Sequence, residues 1–419
     1  MEIARKNWNE KTQMKLIYIH QYFRFPSQSG GTRSFDLATS FVKKGFEVDV
    51  ITSTNETKYK NRKRWVQIES DGLKVHMMYL PFDNRLSYLK RVITFMKFIW
   101  FTSFKVLSLK CDLVLASSTP LTIGIPALIK KWVNNTPYIF EVRDVWPEAV
   151  IAIGAVKNRL LQKILYYLEY RIYKNASAII PLSTDMKDSI ITRYPNFCSK
   201  PIEVIENISE INRFQNGFNK AEFMLRRKIG FKPRFSILYA GTFGRVNGVE
   251  YAMNLAEKLF LIDPSIIFIL VGEGAEKKVI MKQAEKKEIL NKTVFFLDSV
   301  SKQELPQLYF ECSIGSSFVV NIKELWSNSA NKFFDTLAAG RPILINHHGW
   351  QKTVIEEENI GFVLPPHINE ISSRKFADYT QNIQLQNIQQ ENALYIATEK
   401  YSLEVAVSKY IKIMKIILQ

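Results

Sequence analysis

Short apolar runs recur along the first half of the chain, separated by stretches whose apolar positions repeat every three to four residues. KLIYIH, FEVDVITS, LKVHMMYL, CDLVLAS, PYIFEVRD and ASAIIPLS are strand-sized, and TRSFDLATSFVKKG has the period of a helix. Apolar runs without polar alternation, spaced by helices, predict a parallel sheet covered on both faces. A second series begins near residue 235. FSILYAGTFGRVNGVEYAMNLAEKL reads as strand, glycine loop and helix, SIIFILVGEGAEKKVIMKQAEKK repeats the arrangement, and KTVFFLDSV, CSIGSSFVV and RPILIN add strands. The fold class is therefore α/β, with two Rossmann-like doubly wound domains expected to face one cleft at their strand carboxyl ends. The expected boundaries are a polar extension over 1–14, a first domain over 15–205, a linker region over 206–233, a second domain over 234–395, and a C-terminal helix over 396–419 crossing back to the first domain.

The stretch ELWSNSANKFFDTLAAGRPILIN joins a polar helix entrance to a helix and then a strand. Ser327 to Ser329 offer N-cap side chains. Gly340 stands where a helix ends in the left-handed conformation, and Pro342 stops it from continuing. Lys332 and Asp335 are three apart and so share a helix face.

Composition narrows the options. A chain of 419 residues that is 47% hydrophobic can build two cores. Cys111, Cys198 and Cys312 are far apart and odd in number, which argues against a disulfide framework and for a reducing, cytosolic compartment. His347 and His348 are adjacent, which is not helical ligand spacing, and no metal centre is expected. No signal peptide is read at the start: MEIARKNWNEKTQ is polar and the first apolar run is only strand-sized. The net charge is +17, and residues 1–200 hold 31 Lys and Arg against 16 Asp and Glu, so 15 of those charges lie there. An anionic membrane or a nucleic acid could answer such a basic half. No recognised nucleic-acid module accompanies it.

Three helix entrances follow strands: Gly30 and Gly31 in QSGGT, Gly241, Gly244 and Gly248 in AGTFGRVNG, and NSANK with Ser329, Asn331 and Lys332. Helix N-termini attract anions. The chain has no G-x-x-x-x-G-K-[ST] and no G-x-G-x-x-G after its first strand, against a P-loop ATPase and a dinucleotide dehydrogenase. Arg245 and Lys332 could meet a diphosphate, and Asp335 could accept both hydroxyls of a ribose. The alternatives are solvated surface cations and an acid that helps the helix dipole.

HQYFRFPSQSGGTRSFDLATSFVKKGFEVDVIT, FEVRDVWPEAVIAIGAV, YAGTFGRVNGVEYAM, LVGEG and NSANKFFDTLAAGRPILIN occur in this order from about residue 15 to 350. The chain thereby resembles the family-4 glycosyltransferases of the GT-B fold, in the bacterial branch that builds O-antigen, capsule and colanic-acid units. The resemblance implies transfer of a sugar from a nucleotide diphosphate donor, more often UDP than GDP, with retention of anomeric configuration and no metal or other cofactor. The family pairs two Glu separated by seven residues. Asp335 matches the second, which holds the ribose, and Ser327 stands where the first touches the sugar. That departure suits an amino or deoxy sugar. Arg245 matches one basic diphosphate ligand, Asn247 stands near a usual Lys, and Lys332 could replace it. Arg143 stands where relatives carry a His near the reacting sugar, followed by Asp144. Both are assigned to the donor-sugar and acceptor side, with a structural ion pair as the alternative, and Glu148 is a further acceptor-side candidate.

YLKRVITFMKFIWFTSFKVLSL, residues 88–109, bears on the basic half. At 100° per residue Lys90, Arg91, Lys97 and Lys105 fall within about a third of a turn. Phe95, Met96, Ile99, Trp100, Phe104 and Leu107 lie outside that arc, whereas Phe98 and Phe101 lie inside it. Four cations make it a poor transmembrane helix. It fits an interfacial helix on an anionic leaflet or an ordinary helix covering the sheet. RLLQKILYYLEYRIYK, residues 159–174, is similarly cationic and aromatic. The leading expectation is a cytoplasmic enzyme, peripheral on the inner face of the membrane, whose acceptor is a saccharide on a polyprenyl diphosphate. The alternatives are a membrane-surface binding protein without turnover and a sugar-nucleotide epimerase, for which no catalytic acid cluster is found.

Overall fold

A computed structural model describes residues 13–28, 30–60, 62–81 and 88–419, with the side chains of 88–91 excepted. The extension over 1–14 lies almost wholly outside the described residues, as do Ser29 of the first glycine loop and the side chains of Lys90 and Arg91. Two units follow from the chain's own contacts: residues 1–206 with 406–419, and residues 207–405.

The first unit is built on seven strands, β1 (Lys15–Ile19), β2 (Glu47–Thr54), β3 (Val66–Ser70), β4 (Leu73–Tyr79), β5 (Leu113–Ser117), β6 (Tyr138–Val142) and β7 (Ala178–Pro181). Their order is β3-β4-β2-β1-β5-β6-β7. All pairs are parallel except β3–β4, an edge hairpin that the apolar pattern does not announce because β3 is partly polar. Asp71 and Gly72 turn it with φ of 52° and 78°, as a two-residue loop with both positions left-handed requires. Strands β1, β5 and β6 are buried on both faces, which is why they lack alternation.

Helices α1 (Arg33–Lys43), α2 (Tyr88–Ser108), α3 (Gly124–Asn134), α4 (Glu148–Ala152), α5 (Arg159–Asn175) and α6 (Thr184–Arg193) complete this unit, with the last residues of the chain. Phe98 and Val106 of α2, Ala127 and Leu128 of α3, and Ile172 and Tyr173 of α5 share one core with β1, β5 and β6. The wheel of α2 does not locate its buried side. Phe98, assigned to the cationic arc, is buried, and Ile99 is buried with it, whereas Met96, Trp100 and Phe104 of the apolar arc are exposed beside Lys97. Thr94, Thr102 and Ser103 take the remaining buried positions, so the sheet-facing side of α2 mixes small polar and apolar residues and the wheel cannot find it.

The second unit has six strands, β8 (Phe235–Ala240), β9 (Ile266–Val271), β10 (Val294–Leu297), β11 (Ile314–Ser317), β12 (Ile343–Ile345) and β13 (Gly361–Val363), in the order β10-β9-β8-β11-β12-β13 and all parallel. Its helices are α7 (Ile211–Asn216), α8 (Met224–Ile229), α9 (Glu250–Ile262), α10 (Lys277–Lys286), α11 (Leu305–Glu311), α12 (Asn331–Ala338), α13 (Trp350–Glu357), α14 (Glu370–Tyr379) and α15 (Ile383–Glu399). Residues 206–233, expected as a linker, hold α7 and α8. Their Phe214, Met224 and Leu225 join the core formed by Leu238, Ile269 and Tyr309. The polar composition of that span concealed three buried anchors.

A final helix, α16 (Leu403–Leu418), returns to the first unit from Ala406 onward. Tyr410 packs edge-on against Phe41 of α1, with ring centroids 5.7 Å apart.

Candidate functional site

Strand order reverses at two places. In the first sheet β1 lies between β2 and β5, and in the second β8 lies between β9 and β11. Loops at the carboxyl ends of strands flanking such a reversal splay apart and leave room for a ligand. Gly30 and Gly31 follow β1 at the first reversal, and Gly241, Arg245, Asn247 and the start of α12 follow β8 and β11 at the second.

In the second unit the loop after β8 carries Gly241, Arg245 and Asn247, and α12 follows β11. Lys332 Nζ stands 3.4 Å from Asn247 Oδ1 and 5.2 Å from the centre of the Tyr239 ring. Its aliphatic stem lies over Gly241, where an added Cβ would meet Lys332 Cδ at 3.2 Å. Asn247 is held by its own Nδ2, which donates to Thr242 O at 2.9 Å, and the Tyr239 hydroxyl donates to the same carbonyl at 2.7 Å. The structure therefore brings Gly241, Asn247 and Lys332 together. Arg245 is exposed on a single 3-10 turn, Arg245–Asn247. Burial pulls the Lys332 ammonium down to about 8, against the opposing pull of Asp335.

Asp335 lies one turn along α12. Arg213 Nη2 approaches its Oδ1 at 3.5 Å, and Arg213 Nη1 donates to Glu210 Oε2 at 2.5 Å. Burial raises the Asp335 carboxyl to about 7. Arg213, Lys302 and Lys332 oppose that rise, while Glu210 adds to it. Neither Arg213 nor Glu210 was legible as a site residue, because both fall in the polar span read as a linker.

The helix entrance is built differently from the sequence expectation. The N-cap of α12 is Ala330, with no side-chain cap. Ser327 Oγ donates to Glu324 O at 3.2 Å, and Ser329 Oγ accepts the Asn207 amide at 3.4 Å. Asn207 Nδ2 also donates to Ser329 O and, at 2.9 Å, to Asn331 Oδ1. The reason is the turn at 326–327, which directs these serines to the loop and to Asn207 rather than along the helix axis. In the first turn of α12, whose amides have no i−4 partner inside the helix, the Phe333 amide donates to the N-cap carbonyl of Ala330 at 3.1 Å. Gly340 has φ of 61°, as read from the sequence.

The glycine loop also differs. The Gly241 amide donates to Val271 O, and the Phe243 amide to Glu273 O, both at 2.9 Å, so neither faces a ligand. Those bonds explain LVGEG. A Cβ on Gly272, whose φ is 138°, would fall 2.0 Å from Gly241 O, and one on Gly274, whose φ is 158°, 2.3 Å from Phe243 O. The two loops touch backbone to backbone, which only glycine permits. Gly272→Ala is expected to cost about 2–4 kcal/mol by forcing them apart. Thermal unfolding of the variant checks it, and an unchanged transition would remove this explanation.

In the first unit His20 follows β1, Ser118 and Thr119 follow β5, and Arg143 and Asp144 follow β6. Arg143 Nη1 lies 3.3 Å from His20 Nε2, and its amide donates to Ser118 Oγ at 2.9 Å. Since a guanidinium only donates, His20 accepts at Nε2 and donates from Nδ1 to Ser34 Oγ at 2.7 Å. Burial, reinforced by Arg143, lowers the imidazole to about 3, so it is neutral at pH 7. Thr119 Oγ1 donates to Asp144 Oδ2 at 2.6 Å. Glu148 pairs with Arg193 and accepts from Ser189 Oγ at 3.0 Å, while Arg193 also holds Glu169 at 2.6 Å. Its carboxylate is thus engaged within a local network. Gly30 and Gly31 are exposed before α1, and Gly30 has φ of 108°.

Beneath this group the first residue of α1, Arg33, is buried. Its Nε and Nη2 donate to Glu141 Oε1 at 3.2 and 2.8 Å, and its Nη1 donates to Glu206 O at 2.5 Å. The Tyr410 hydroxyl donates to Glu141 at 2.5 Å, and Ser117 donates to the other carboxylate oxygen. His20, Arg33 and Glu141 were not singled out in the sequence. Their signal is weak, since a charge inside a strand and another at a helix start read as surface residues.

The family model Glycosyltransferase Family 4 matches residues 30–213, and Glycosyl transferases group 1 matches residues 223–394. Spore coat protein SA of Bacillus subtilis (strain 168) is 21% identical over 241 residues, covering 55% of this chain and 63% of the relative. The Putative colanic acid biosynthesis glycosyl transferase WcaI of Escherichia coli (strain K12) is 24% identical over 165 residues, covering 38% and 40%. The matched stretches thus span less than two thirds of either relative. Among solved structures, sucrose-phosphate synthase from Thermosynechococcus elongatus aligns with a TM-score of 0.75 at 14% identity over 97% of this chain and 99% of its own. Anabaena Alr3699/HepE in complex with UDP and glucose aligns with a TM-score of 0.68 at 16% identity over 96% and 100%. At these identities the structural likeness speaks for the fold, which is GT-B. With both halves matched in order, the chain belongs to the family-4, group 1 glycosyltransferases.

Proposed function

We propose that the chain is a retaining glycosyltransferase that moves a sugar from a UDP donor, without a metal, to a saccharide on a polyprenyl diphosphate at the inner face of the membrane, in bacterial surface polysaccharide synthesis. The observation that carries the reading is the pairing of Lys332 over Gly241 and Asn247 with Asp335 one turn away, at the strand reversal of the second sheet. A diphosphate lying across the start of α12 meets an ammonium and the positive end of the helix, and a ribose at Asp335 meets a carboxylate acceptor. When the bond between the sugar carbon and the diphosphate breaks, its electron pair leaves with UDP. Fixed positive charge at that place favours the step. The UDP-bound HepE of the same fold supports the choice of nucleotide.

Ser327, in place of the family's sugar-contacting Glu, turns its hydroxyl to Glu324 O, which supports a sugar that does not need a carboxylate there. Arg143 and Asp144 at the strand ends of the first unit are assigned to the sugar and acceptor side. His20 beside Arg143 supplies a neutral imidazole to the same group. The same Ser327 feature favours the second reading, a membrane-surface binding protein that keeps the fold without turnover.

Calorimetric titration with UDP and then GDP, with and without EDTA, tests the donor assignment. Saturable UDP binding insensitive to EDTA is expected. Failure of both nucleotides to bind at millimolar concentration would sink it. Hydrolysis of UDP-sugars, followed by product analysis, separates turnover from binding alone.

A further inference from the structure

Among the described residues of the first unit, every large hydrophobic side chain that is exposed, except Ile416, lies on α2, α3 or α5. These three helices cover one face of the sheet through a shared core, with α3 packed against both others. Their outward sides therefore point the same way.

On α2 the outward positions are Val92, Ile93, Met96, Trp100 and Phe104, at helical spacing. Trp100 is 63% and Phe104 58% exposed, and their rings meet edge-on at 5.2 Å. On α3 they are Trp132 and Val133, and on α5 Leu160, Leu161, Ile164 and Tyr167. Arg171 joins the last two helices, its guanidinium 5.3 Å from the Trp132 ring and 5.7 Å from the Tyr167 ring. Asn158 caps α5 through the amides of Leu160 and Leu161, which fixes that end of the face.

The charge of the face is one-sided. The three helices carry ten Lys and Arg and a single acid, Glu169, which is 1% exposed and neutralised by Arg193. Lys97 stands among the exposed apolar residues of α2, and Lys163 among those of α5. A second copy of the chain would bring cation against cation, so the charge disfavours self-association. A nucleic acid would leave the exposed aliphatic side chains in water. No helix of the described residues is long and apolar enough to cross a membrane.

We infer that the outward face of α2, α3 and α5 is a docking surface for an anionic lipid bilayer, with Trp100, Phe104, Trp132 and Tyr167 at the headgroup boundary and the flanking cations on the lipid charge. Aromatic and aliphatic side chains among cations, without carboxylates, are the combination that holds a helix in the plane of such an interface. This deepens the lipid-linked acceptor part of the proposed function.

The test is co-flotation of the full chain with vesicles of phosphatidylcholine containing 30% phosphatidylglycerol, against phosphatidylcholine alone, without sugar nucleotide. Binding to the anionic vesicles is expected to be at least tenfold stronger and to fall with added salt. Trp100→Glu with Ile164→Glu should reduce it at least tenfold while leaving the circular dichroism spectrum, the melting curve and UDP binding unchanged, because both side chains are exposed. Equal flotation of parent and variant overturns the inference. So does concentration-dependent self-association that the variant abolishes, which would make the face a contact between copies. UDP titration without vesicles is a separate readout, so loss of one reading leaves the other open to its own test.

Discussion

UDP affinity is expected to pass through a maximum between pH 7 and 8, and to lose its acidic limb in Asp335→Asn. In the free protein burial holds the Asp335 carboxyl near 7 and the Lys332 ammonium near 8. A ribose needs the carboxylate and a diphosphate needs the ammonium, so affinity falls below the first value and above the second, by up to tenfold per pH unit. UDP itself gains a proton at acid pH, which is why the variant is the decisive comparison. Asp335→Asn should bind about 10–100-fold more weakly at pH 7.5, the usual worth of a hydrogen bond to a charged group. Its remaining acid dependence should be that of the nucleotide alone. Arg213→Met should move the acidic limb to higher pH, because it removes the cation that favours ionised Asp335. Titration calorimetry across pH 6–9 reads all three, and a variant with the parent's profile would displace the ribose from Asp335.

The same shift has a sign for stability. The folded carboxyl of Asp335 lies above its ordinary value of 3.8. Between about pH 4 and pH 7 the folded state keeps a proton that the unfolded chain has released, so this group lowers stability as pH rises through that window. Its side chain retains 17% exposure, and water screens part of the effect.

Arg33→Ala is expected to be among the most destabilising single changes in the first unit, at about 3–5 kcal/mol. The side chains of Arg33 and Glu141 are 4% and 0% exposed, and removing the cation strands a carboxylate inside the sheet. Burial alone would raise the Glu141 carboxyl, but the guanidiniums of Arg33 and Arg143 outweigh it and hold it at about 2. Its folded value is therefore depressed. The stabilisation it gives is complete above the ordinary carboxylate range and is lost as pH falls from about 4.5 towards about 2. Tyr410→Phe removes one neutral donor to the same carboxylate and should cost less, about 1–2 kcal/mol. Urea unfolding at pH 7, followed by circular dichroism with limited proteolysis to assign the transition to the first unit, measures both. If Arg33→Ala costs no more than Tyr410→Phe, the pair is not what secures α1 and α16 to β6.

Conversion of the Arg33–Glu141 pair to Met and Leu offers a contrast. An apolar replacement of both charges is often neutral or stabilising. The pair has further donors and acceptors around it, from Ser117, Tyr410, Ile205 and Glu206, which fix one geometry for α1. Whether α1 keeps that geometry in the double replacement can be read from the exchange of its amides.

The amino-acid sequence determined the strand series, both parallel sheets and the α12 segment, because uninterrupted apolar runs between helical stretches admit few other solutions. It also placed Lys332 and Asp335 on one helix face, since that depends only on the helical repeat. It did not reveal Arg213, Glu210 and Asn207, which lie more than 100 residues upstream in a polar span, nor the β3 edge strand, whose face is partly polar. The buried side of α2 was not legible for a related reason. A wheel ranks side chains by polarity, whereas the sheet accepts small polar residues such as Thr102 and Ser103 and leaves Trp100 and Phe104 outside. Arg33 and Glu141 show the same limit, for two charges become tolerable inside a core only when tertiary folding brings them together. Local pattern fixed the elements, and long-range packing decided which side chains each element buries, pairs or leaves to a partner.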